Sequence, residues 1–468
     1  MNNISKQFKN IIKQHYFIEY MRIKKIKFVL NQVLANIKPS NKELKIINYS
    51  LKEFLIKIKK EIKESKINAE IFIGGSFAKN TLIKKNIYDV DVFLRFDKKY
   101  KTEDISNLTE KLLKKINKNT DILKVHGSRD YFRIKDTKVP FIKPSFKLGV
   151  KPDNISPFFY FELIPVIKVK SSENYENITD LSYSHVKYIR QKIKSEKLLD
   201  EVRLAKSFCY ANNCYGAESY IRGFSGYSLE LLVYHYGTFL KFINEMIKIK
   251  DKKVIDIEKH HKNKQSVLMD LNSSKLGSPI VLIDPTYKQR NTLAALSQET
   301  FNEFKKQAKK FLQNPSKKAF EKKEINLENI KNNAGKKHYE FILLKAETDK
   351  QEGDIAGSKL LKFYHTLNSE IQRYFEVKNK GFIYEREKTA NYFFVVKKRE
   401  KILVQGPNKN DNDNVMKFKT RHKNVFIKKD KFYALEKTNI TINEFIENWS
   451  KKYKKRLKEM YIEDLNII

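Results

Sequence analysis

Apolar residues in the first part of the chain recur every three or four positions, which is the repeat of a helix with one buried face. This spacing predicts one long helix over residues 22–66 and a second helix over residues 104–117. The apolar positions of the first helix include Leu51, Phe54, Leu55 and Ile58. We therefore expect an early helical layer that needs a partner surface.

Apolar runs between and after these helices predict strands. Ile71–Ile73 is one short run, and from Asp89 to Phe96 acidic and apolar side chains alternate. Several short strands are expected between residues 121 and 170, the clearest being FFYFELIPVIKVK at 158–170. Helices combined with strands in this order indicate an α+β domain.

The pattern changes twice in the rest of the chain. Residues 180–315 have mainly helical spacing, and a loop rich in Lys, Asn and Asp is expected at 406–414. The predicted elements that flank this loop are strands at 339–345, 382–386 and 391–398, an amphipathic helix at 357–377 and a last helix at 443–460. A second α+β region is therefore expected towards the C-terminus.

A chain of 468 residues is too long for one ordinary hydrophobic core. We therefore predict an α+β multidomain protein. Its expected parts are a basic N-terminal extension at 1–30, a head at 31–170, a helical central domain or neck at 171–320, an α+β body at 321–405 and a basic tail at 406–468.

The net charge of the chain indicates the kind of partner that it binds. Lys and Arg number 95 against 55 Asp and Glu, which gives a formal net charge of +40. Such an excess is typical of proteins that bind a polyanion, and nucleic acid is the first candidate. A codon bias towards Lys, Asn and Ile is the alternative source of the lysines, but it does not explain the shortage of acids. Hydrophobic residues make up 41% of the chain, which excludes a disordered polycation.

The two cysteines, Cys209 and Cys214, match no zinc spacing and indicate no disulfide framework. We therefore expect a reducing, cytoplasmic compartment. No apolar run approaches the roughly 18 residues that a membrane-spanning helix needs. The first 28 residues resemble a basic amphipathic helix more than a secretory signal, and an organelle-targeting peptide is the alternative.

Candidate chemistry begins at GGSFAKNT (74–81), which is followed by YDVDVFLRF (88–96). Glycine lets the backbone approach a ligand closely, and a helix that starts there would offer N–H groups to a phosphate. Asp89 and Asp91 are two positions apart on a predicted strand, so both side chains point to one face. Carboxylates this close repel each other unless a cation lies between them, and Mg²⁺ prefers such oxygen ligands.

Glu162 is the candidate third carboxylate, because a lone acid in an aromatic and apolar strand needs a partner. Three carboxylates would hold two Mg²⁺ ions for in-line displacement at phosphorus. The alternative is that these residues have no metal-binding role, because two exposed acids on a strand are common and a Gly-Ser pair is often only a turn. Their order along the chain, from glycine turn to acidic strand to later buried acid, favours a metal site.

This order resembles the nucleotidyltransferase superfamily of DNA polymerase beta and the poly(A) polymerases. Four segments narrow the resemblance to the archaeal-type, class I CCA-adding enzymes, which are tRNA nucleotidyltransferases. The segments are GGSFAKNTLIKKNIYDVDVF (74–93), DLSYSHVKYIRQKI (180–193), DEVRLAKSFCYANNCYGAESYIRGFSGYSLELLVYHYGTF (200–239) and IDPTYKQRNTLAALS (283–297). The resemblance implies a polymerase beta-like nucleotidyltransferase head with a mixed five-stranded sheet, a helical central domain, an α+β body and a basic tail.

The resemblance also implies a role for each matching residue. Asp89, Asp91 and Glu162 would be catalytic and would bind Mg²⁺, and one of them would take the proton of the primer 3′-hydroxyl. The residues implied in nucleotide binding are Gly75, Ser76, Lys79, Ser182, His185, Lys206, Tyr215 and Arg290. The first two would hold the triphosphate, and the last matches an arginine that reads the nucleotide.

Each of these residues also has a purely structural interpretation. His185 alone is more simply an exposed helical histidine, and Tyr215 alone is more simply core packing. Lys206 is one of very many lysines, and Arg290 could lie at a helix start. Glu162 departs from the family pattern, which usually has an aspartate, and its extra methylene would change the fine geometry of a metal site.

The implied activity is the addition of C, C and A to the 3′ end of tRNA without a nucleic-acid template, from CTP and ATP, with release of pyrophosphate. The acceptor stem of tRNA is an A-form helix that proteins recognise by shape and phosphates, and the basic, aromatic stretch 417–437 suits such contacts. A second copy of the chain is a further candidate partner, and no membrane is expected. The alternatives are a poly(A)-adding, A-only or CC-only polymerase and a catalytically silent tRNA-binding protein.

Overall fold

The computed structural model describes residues 2–84, 87–116, 122–126, 129–134, 158–169, 177–322 and 324–468. Within these ranges the chain forms two compact units, Met1–Lys323 and Glu324–Ile468. Among the described helices, none is both long enough and apolar enough to cross a membrane. Part of the region in which short strands are predicted, residues 135–157, lies outside the described residues.

The first unit combines a sheet with two sets of helices. In chain order its elements are α1 (Asn2–Ile37), α2 (Asn41–Glu64), β1 (Ala69–Ile73), α3 (Gly75–Ala78), β2 (Ile87–Phe96), α4 (Ile105–Ile116), β3 (Ile122–Val125), β4 (Tyr131–Ile134), β5 (Phe158–Ile167), α5 (Ser182–Lys192), α6 (Glu196–Ala211), α7 (Gly226–Tyr236), α8 (Phe239–Lys248), β6 (Lys253–Ile255), α9 (Lys264–Asp270), β7 (Ile280–Asp284), β8 (Tyr287–Asn291) and α10 (Gln298–Gln313).

The single helix predicted over 22–66 is in fact two helices, α1 and α2. The break falls at Pro39, whose ring nitrogen cannot donate to the helix ladder. Ser40 then caps α2: its hydroxyl accepts a hydrogen bond from the Glu43 backbone N–H at 3.2 Å, and the Glu43 carboxylate accepts one from the Ser40 N–H at 2.6 Å. This capping box was readable in the sequence, whereas apolar spacing alone ran across it.

Five strands of the described residues form a mixed sheet in the order β1-β2-β5-β4-β3, which confirms the predicted sheet. Only β2 and β5 run parallel, and the other neighbours are antiparallel. Val90, Val92 and Leu94 of β2 are completely buried in a core shared with α2 and α4. The alternate residues of β2, which include Asp89 and Asp91, therefore lie on the opposite face of the sheet.

The helical part of the first unit has its own core, built mainly from α6, α7, α8 and α10. Ile26, Val29, Leu30 and Val33 of α1 are buried in this core because they form one apolar stripe at helical spacing. The boundary predicted at residue 30, between an extension and the head, thus falls inside a helix that packs with the neck.

A small sheet of β6, β7 and β8 interrupts the region that the pattern predicted as mainly helical. Its strands are only three to five residues long, and β8 reads YKQRN, without apolar alternation. The signal was therefore too short and too polar to recognise. This sheet matters for the site because β7 ends at Asp284 and β8 carries Arg290.

The second unit, described by itself, is an α+β fold. Its elements are α11 (Leu327–Gly335), β9 (Glu340–Glu347), α12 (Asp354–Tyr374), β10 (Phe375–Tyr384), β11 (Thr389–Lys398), β12 (Lys401–Asn408), α13 (Asn412–Arg421), β13 (Val425–Lys428), β14 (Lys431–Lys437), α14 (Ile442–Lys452), α15 (Lys454–Glu459) and β15 (Asp464–Ile467).

The predicted tail at 406–468 is not separate from the body. Strand β15 pairs with β9 in a four-stranded sheet of the described residues, ordered β10-β11-β9-β15. Phe445 and Trp449 of α14 are buried in the same core as α12. The predicted loop at 406–414 contains the end of β12 and the start of α13, since Asp411 caps that helix. Burial of these aromatics ties the C-terminal residues to the body.

Candidate active site

The two aspartates of β2 lie where the parallel pair of strands places a third acid beside them. In the register of β2 and β5, Asp91 is directly opposite Glu162, and Asp89 is opposite Tyr160. Because side chains alternate along a strand, the three acids share the face of the sheet that the main core does not use. The sequence prediction of a shared face is thus consistent with the strand register.

Two neighbours engage these acids. Arg133, which is opposite Glu162 in the antiparallel partner β4, donates a hydrogen bond to the Glu162 carboxylate at 2.8 Å. The guanidinium of Arg133 also lies 4.2 Å from the centre of the Tyr160 ring. Burial raises the pKa of Tyr160, and the charge of Asp89, to which the hydroxyl is hydrogen-bonded, raises it further. Tyr160 therefore stays a neutral donor to Asp89.

The glycine turn lies against the second aspartate. The Gly74 N–H donates to the Asp91 carbonyl oxygen at 2.9 Å, and Gly75 has a φ of +61°, in the left-handed region. A Cβ at Gly75 would overlap the Asp91 carboxylate. Position 75 thus requires glycine for two reasons, its backbone conformation and its contact with an acid. Ser76 follows it in the one-turn helix α3.

Two of the predicted nucleotide-binding lysines meet at a buried carboxylate that the sequence analysis did not select. Glu230 of α7 is fully buried, and it accepts hydrogen bonds at 2.7 Å from both Lys79 and Lys206. Thr81 donates to the same carboxylate at 2.8 Å, and Lys206 donates to the Thr81 hydroxyl oxygen at 2.7 Å. We call these four residues the Glu230 cluster.

Charge keeps Glu230 ionised despite its burial. Burial by itself would raise the pKa of this carboxyl, but the ammonium groups of Lys206 and Lys79 lower it to about 2. An ion pair of this kind, without solvent, is held together by its hydrogen bonds as well as by its charges. The cluster is therefore a fixed arrangement of two cations and one anion at neutral pH.

Two further predicted residues meet at a second buried acid, Asp284. His185 is 2.9 Å from its Oδ2 through Nε2, and Arg290 donates to the same oxygen at 2.7 Å. Tyr227 donates to the other oxygen at 3.0 Å, and Thr286 donates to it from both its N–H and its hydroxyl. We call these five residues the Asp284 cluster.

The protonation of this cluster follows from its burial and charges. Burial lowers the pKa of His185, and the nearby Arg290 and Lys79 lower it further. Burial alone would raise the pKa of Asp284, but the hydrogen bond from His185 and the charge of Arg290 hold it below its usual range. Because the pKa of His185 is lowered and that of Asp284 is held low, we assign a neutral His185 beside an ionised Asp284 at neutral pH; Nε2 of His185 also lies 3.0 Å from Nη1 of Arg290.

Tyr227, a member of the Asp284 cluster, also lies close to Lys79 of the Glu230 cluster. Its ring stacks on His185 with centroids 4.2 Å apart, Lys79 lies 5.8 Å from its centre and Arg290 5.9 Å. Tyr215 lies near Gly226, where a Cβ would be 2.9 Å from the tyrosine hydroxyl oxygen. Burial raises the pKa of Tyr215, and the charges of Asp89 and Asp91 are among the further causes. The helical part thus faces the acidic strand.

The remaining predicted residue, Ser182, begins α5, one turn before His185, and is half-buried. Helix α5 packs against α3, the helix that carries Ser76. The structure therefore brings the predicted residues into neighbouring groups: three acids, a glycine turn, the net-positive Glu230 cluster and the Asp284 cluster. Glu230 and Asp284 were missed, although a lone acid in the apolar run LELLVY is the same signal that selected Glu162.

Asp89, Asp91 and Glu162 are the candidate ligands of a metal ion. Carboxylates gathered on one face next to a glycine suit a hard divalent cation. In the described parts of the chain, however, no group of three or more His, Cys, Asp or Glu side chains is placed to hold a metal ion. Glu162 is engaged by Arg133 instead. The strand register fits a metal ion, with Arg133 as a cation that would compete with the metal ion for Glu162.

A mixed five-stranded sheet with its acidic strand next to a glycine turn places the chain among the polymerase beta-like nucleotidyltransferases. The family model for the nucleotidyltransferase domain matches residues 55–169. The model for the second domain of tRNA nucleotidyltransferase matches residues 200–321. Mg²⁺ is typical of this class of enzyme. The head and the neck are thus both parts of a tRNA nucleotidyltransferase.

Curated relatives narrow the family. The CCA-adding enzyme of Nanoarchaeum equitans is 31% identical over 365 residues, which are 77% of this chain and 82% of the relative. That of Methanocaldococcus jannaschii is 28% identical over 418 residues, 87% of each chain. The chain belongs to the family of archaeal CCA-adding enzymes. Among solved structures, the Cid1 poly(U) polymerase is 14% identical, with a TM-score of 0.48 over 64% of this chain and 98% of that one. The assignment does not depend on that likeness.

Proposed function

We propose that this chain adds C, C and A to the 3′ end of tRNA without a nucleic-acid template, using CTP and ATP and releasing pyrophosphate. Membership of the CCA-adding family supports the activity. The observation that carries the chemistry is the register of β2 and β5, because it puts Asp89, Asp91 and Glu162 on one face beside Gly75. The three carboxylates are proposed as the catalytic and metal-binding residues.

We assign two Mg²⁺ ions to these carboxylates. When bound, Mg²⁺ neutralises triphosphate charge and makes the primer 3′-hydroxyl easier to deprotonate. One of the three carboxylates is proposed to accept that proton. Tyr160 keeps Asp89 oriented by its hydrogen bond, and Arg133 keeps Glu162 on the shared face. Residues of neighbouring strands thus hold the proposed metal-binding carboxylates in place.

The nucleotide is proposed to lie between the acidic strand and the helical part. Gly75 allows the backbone to approach the triphosphate, and the Ser76 and Ser182 hydroxyls offer hydrogen bonds to it. Lys79 and Lys206 provide positive charge, since two lysines outweigh one Glu230. His185 and Tyr215 complete the set of proposed phosphate contacts.

Arg290 is proposed to read the base. The Arg290 side chain is 19% exposed, while one of its guanidinium nitrogens is held by Asp284. A planar guanidinium with several donors can bond to an acceptor edge of a base while another donor stays anchored. Without a template strand, side chains and the primer have to supply base selection. Arg290 is suited to this by its combination of anchoring and exposure.

We propose tRNA as the polyanionic partner, and a net charge of +40 supports this. In the second unit, Phe426 and Tyr433 are cross-strand partners whose rings stack with centroids 6.0 Å apart. Phe426 is 39% exposed, and Lys428 pairs with Lys431 two positions further along the ladder. Aromatic rings beside lysines suit contacts with bases and phosphates.

We also propose a cytoplasmic location, which two free and buried cysteines support. Association with a second copy of the chain remains a prediction. Size-exclusion chromatography with light scattering would test it directly.

The proposed function is tested by incubating the protein with Mg²⁺, CTP, ATP and a tRNA that lacks its 3′ CCA, and then sequencing the products. The expected product ends in CCA and stops after three additions. Asp91→Asn is expected to lower incorporation at least about 100-fold, with tRNA affinity at fixed salt changed by less than about twofold. The variant keeps the side-chain volume, so folding is expected to persist.

Other products would redirect the assignment. Addition of only A, only CC or a long A tail would make the chain a sister polymerase with the same site. Tight tRNA binding without any addition would instead identify a catalytically silent RNA-binding protein. Full activity of Asp91→Asn would contradict the metal-binding role of that acid.

A further inference from the structure

The Glu230 cluster connects the two parts of the first unit. Lys79 and Thr81 belong to the segment that directly follows the glycine turn and α3, whereas Lys206 and Glu230 belong to α6 and α7. Every hydrogen bond of Glu230 to Lys79 and Thr81 therefore joins the sheet part to the helical part. The position of the glycine turn thus depends on a carboxylate of the helical part.

A second contact reinforces this connection. Arg203, one turn before Lys206 on α6, donates to the Asn80 backbone oxygen at 2.6 Å. Asn80 has a φ of +54°, so the chain turns sharply between Lys79 and Thr81. Residues 79–81 are consequently held at three successive positions by the helical part. This degree of fixation goes beyond what a connecting loop requires.

The geometry also restricts the two lysines. The exposed fraction of the Lys79 side chain is 9%, and that of Lys206 is 2%. A lysine side chain is long and flexible, but the buried carboxylate of Glu230 at 2.7 Å restricts the movement of its ammonium group. An ammonium group that is already fixed loses less entropy when it binds a phosphate than a mobile one does.

We propose that Glu230 is a positioning residue, which fixes Lys79 and Lys206 for the triphosphate and links the glycine turn to the helical part. This inference rests on the proposed function, because it assigns the lysines to a triphosphate. Glu230 itself is fully buried, so it has no exposed surface with which to contact a substrate. One negative charge against two positive ones leaves the cluster net positive, which is what a polyphosphate requires.

The alternative is that Glu230 only stabilises the fold, as a buried counter-ion for two lysines. That role predicts that removing Glu230 lowers the stability of the fold and weakens the binding of all ligands equally. A second alternative is that Glu230 competes with phosphate for the lysines, so that its removal tightens binding. The three possibilities differ in how affinity changes with the number of phosphates on the ligand.

The test is calorimetric binding of CTP, ATP, inorganic pyrophosphate and CMP to the full chain and to Glu230→Gln. Glutamine keeps the volume but removes the charge that orients the lysines. We expect CTP, ATP and pyrophosphate to bind about tenfold more weakly, and CMP affinity to change by less than about twofold. Equal losses for CTP and CMP, unchanged binding, or tighter triphosphate binding would each overturn the proposal.

Two further variants keep the test decisive. Glu201→Gln is the matched control, because Glu201 is a half-buried acid of α6 whose carboxylate accepts from the Phe239 N–H at 2.7 Å and belongs to neither cluster. It should leave all four affinities unchanged. If Glu230→Gln does not fold, Glu230→Asp keeps the charge but shortens the side chain, and is expected to lose about threefold in triphosphate and pyrophosphate affinity alone. If Glu230→Asp shows no selective loss of triphosphate and pyrophosphate affinity, the proposal is overturned.

The result can be separated from the proposed function. Binding of pyrophosphate and CTP is measured without tRNA and without turnover, whereas CCA addition is measured by product sequencing. A wild-type chain that binds triphosphates but adds no nucleotide would contradict the proposed function and leave the role of Glu230 supported by the selective loss.

Discussion

Single side chains in this site are held by acids that do not face the substrate. Asp284 engages His185, Arg290 and Tyr227 at once, so three proposed or neighbouring site groups depend on one carboxylate. Buried carboxylates with this many donors are costly to disturb, because their loss leaves several donors without an acceptor. The arrangement predicts that Asp284 acts on the nucleotide through Arg290.

We therefore expect Asp284→Asn to raise KM for both CTP and ATP about tenfold, because the Arg290 guanidinium loses its charged anchor. A steady-state assay with saturating tRNA measures this directly. Asp256→Asn is the control, since Asp256 is a neighbouring acid that pairs with His261 instead. An unchanged KM for both nucleotides would contradict the proposed anchoring of Arg290.

At this scale, the sequence allowed part of the site to be predicted. Local order pointed to Asp89, Asp91 and Gly75 because they are close together along the chain and share a strand or turn. Glu230 and Asp284 pair with residues at distant positions, such as Lys79 and His185. Such pairings depend on tertiary packing, so neither residue spacing nor composition reveals them.

At the scale of elements, the parallel pairing of β2 with β5 decides which acids meet. A shift of one residue would place Glu162 on the core face, so the register is fixed by the apolar alternation of both strands. The next strand, β4, adds Arg133 opposite Glu162. Three adjacent strands therefore carry Asp91, Glu162 and Arg133 in one row.

This row predicts the behaviour of Arg133→Gln. Removal of a cation that pairs with Glu162 at 2.8 Å should make divalent ions bind about threefold to tenfold more tightly, because they no longer compete with the guanidinium. We also expect kcat to fall, since Glu162 loses its orientation. Electron paramagnetic resonance of Mn²⁺ binding measures the first effect without turnover.

Arg95→Gln is a suitable comparison for that experiment. Arg95 lies on the same sheet but pairs with Glu70, at 2.6 Å, and not with a proposed ligand. It should leave Mn²⁺ affinity unchanged. Weaker Mn²⁺ binding by Arg133→Gln would show that the arginine supports the metal site instead of competing for it.

Elements were predicted from the sequence with uneven success. Strands β2 and β5 and helix α4 were predicted because each has a pattern of ten or more residues. The small sheet of β6, β7 and β8 was missed because each of its strands is short, and β8 is polar. The break at Pro39 was missed because apolar spacing continues on both sides of it.

For the molecule as a whole, buried acids with opposite shifts in pKa give a measurable pH dependence. The pKa of Glu230 is about 2 in the folded chain against an ordinary 4.5. A lowered pKa contributes stability above pH 4.5, and this contribution disappears as the pH falls towards 2. It amounts to an unfolding free energy on the order of 3 kcal/mol.

We therefore expect the unfolding free energy of the wild type to fall more steeply between pH 5 and pH 2.5 than that of Glu230→Gln. Urea unfolding followed by circular dichroism at each pH measures the difference. Glu201→Gln should change the slope in the opposite direction, because burial raises the pKa of Glu201. Equal slopes for the wild type and Glu230→Gln would contradict an ionised Glu230.

The packing of α1 has a consequence for the synthesis of the chain. Its apolar stripe, Ile26 to Val33, is buried against α6 and the turn Lys317–Phe320. Those partners emerge from the ribosome some 170 to 290 residues later, which takes on the order of tens of seconds at ordinary rates of translation. Throughout that interval the stripe has no native surface to cover it. The stripe therefore stays without its native cover while all five strands of the catalytic sheet are synthesised.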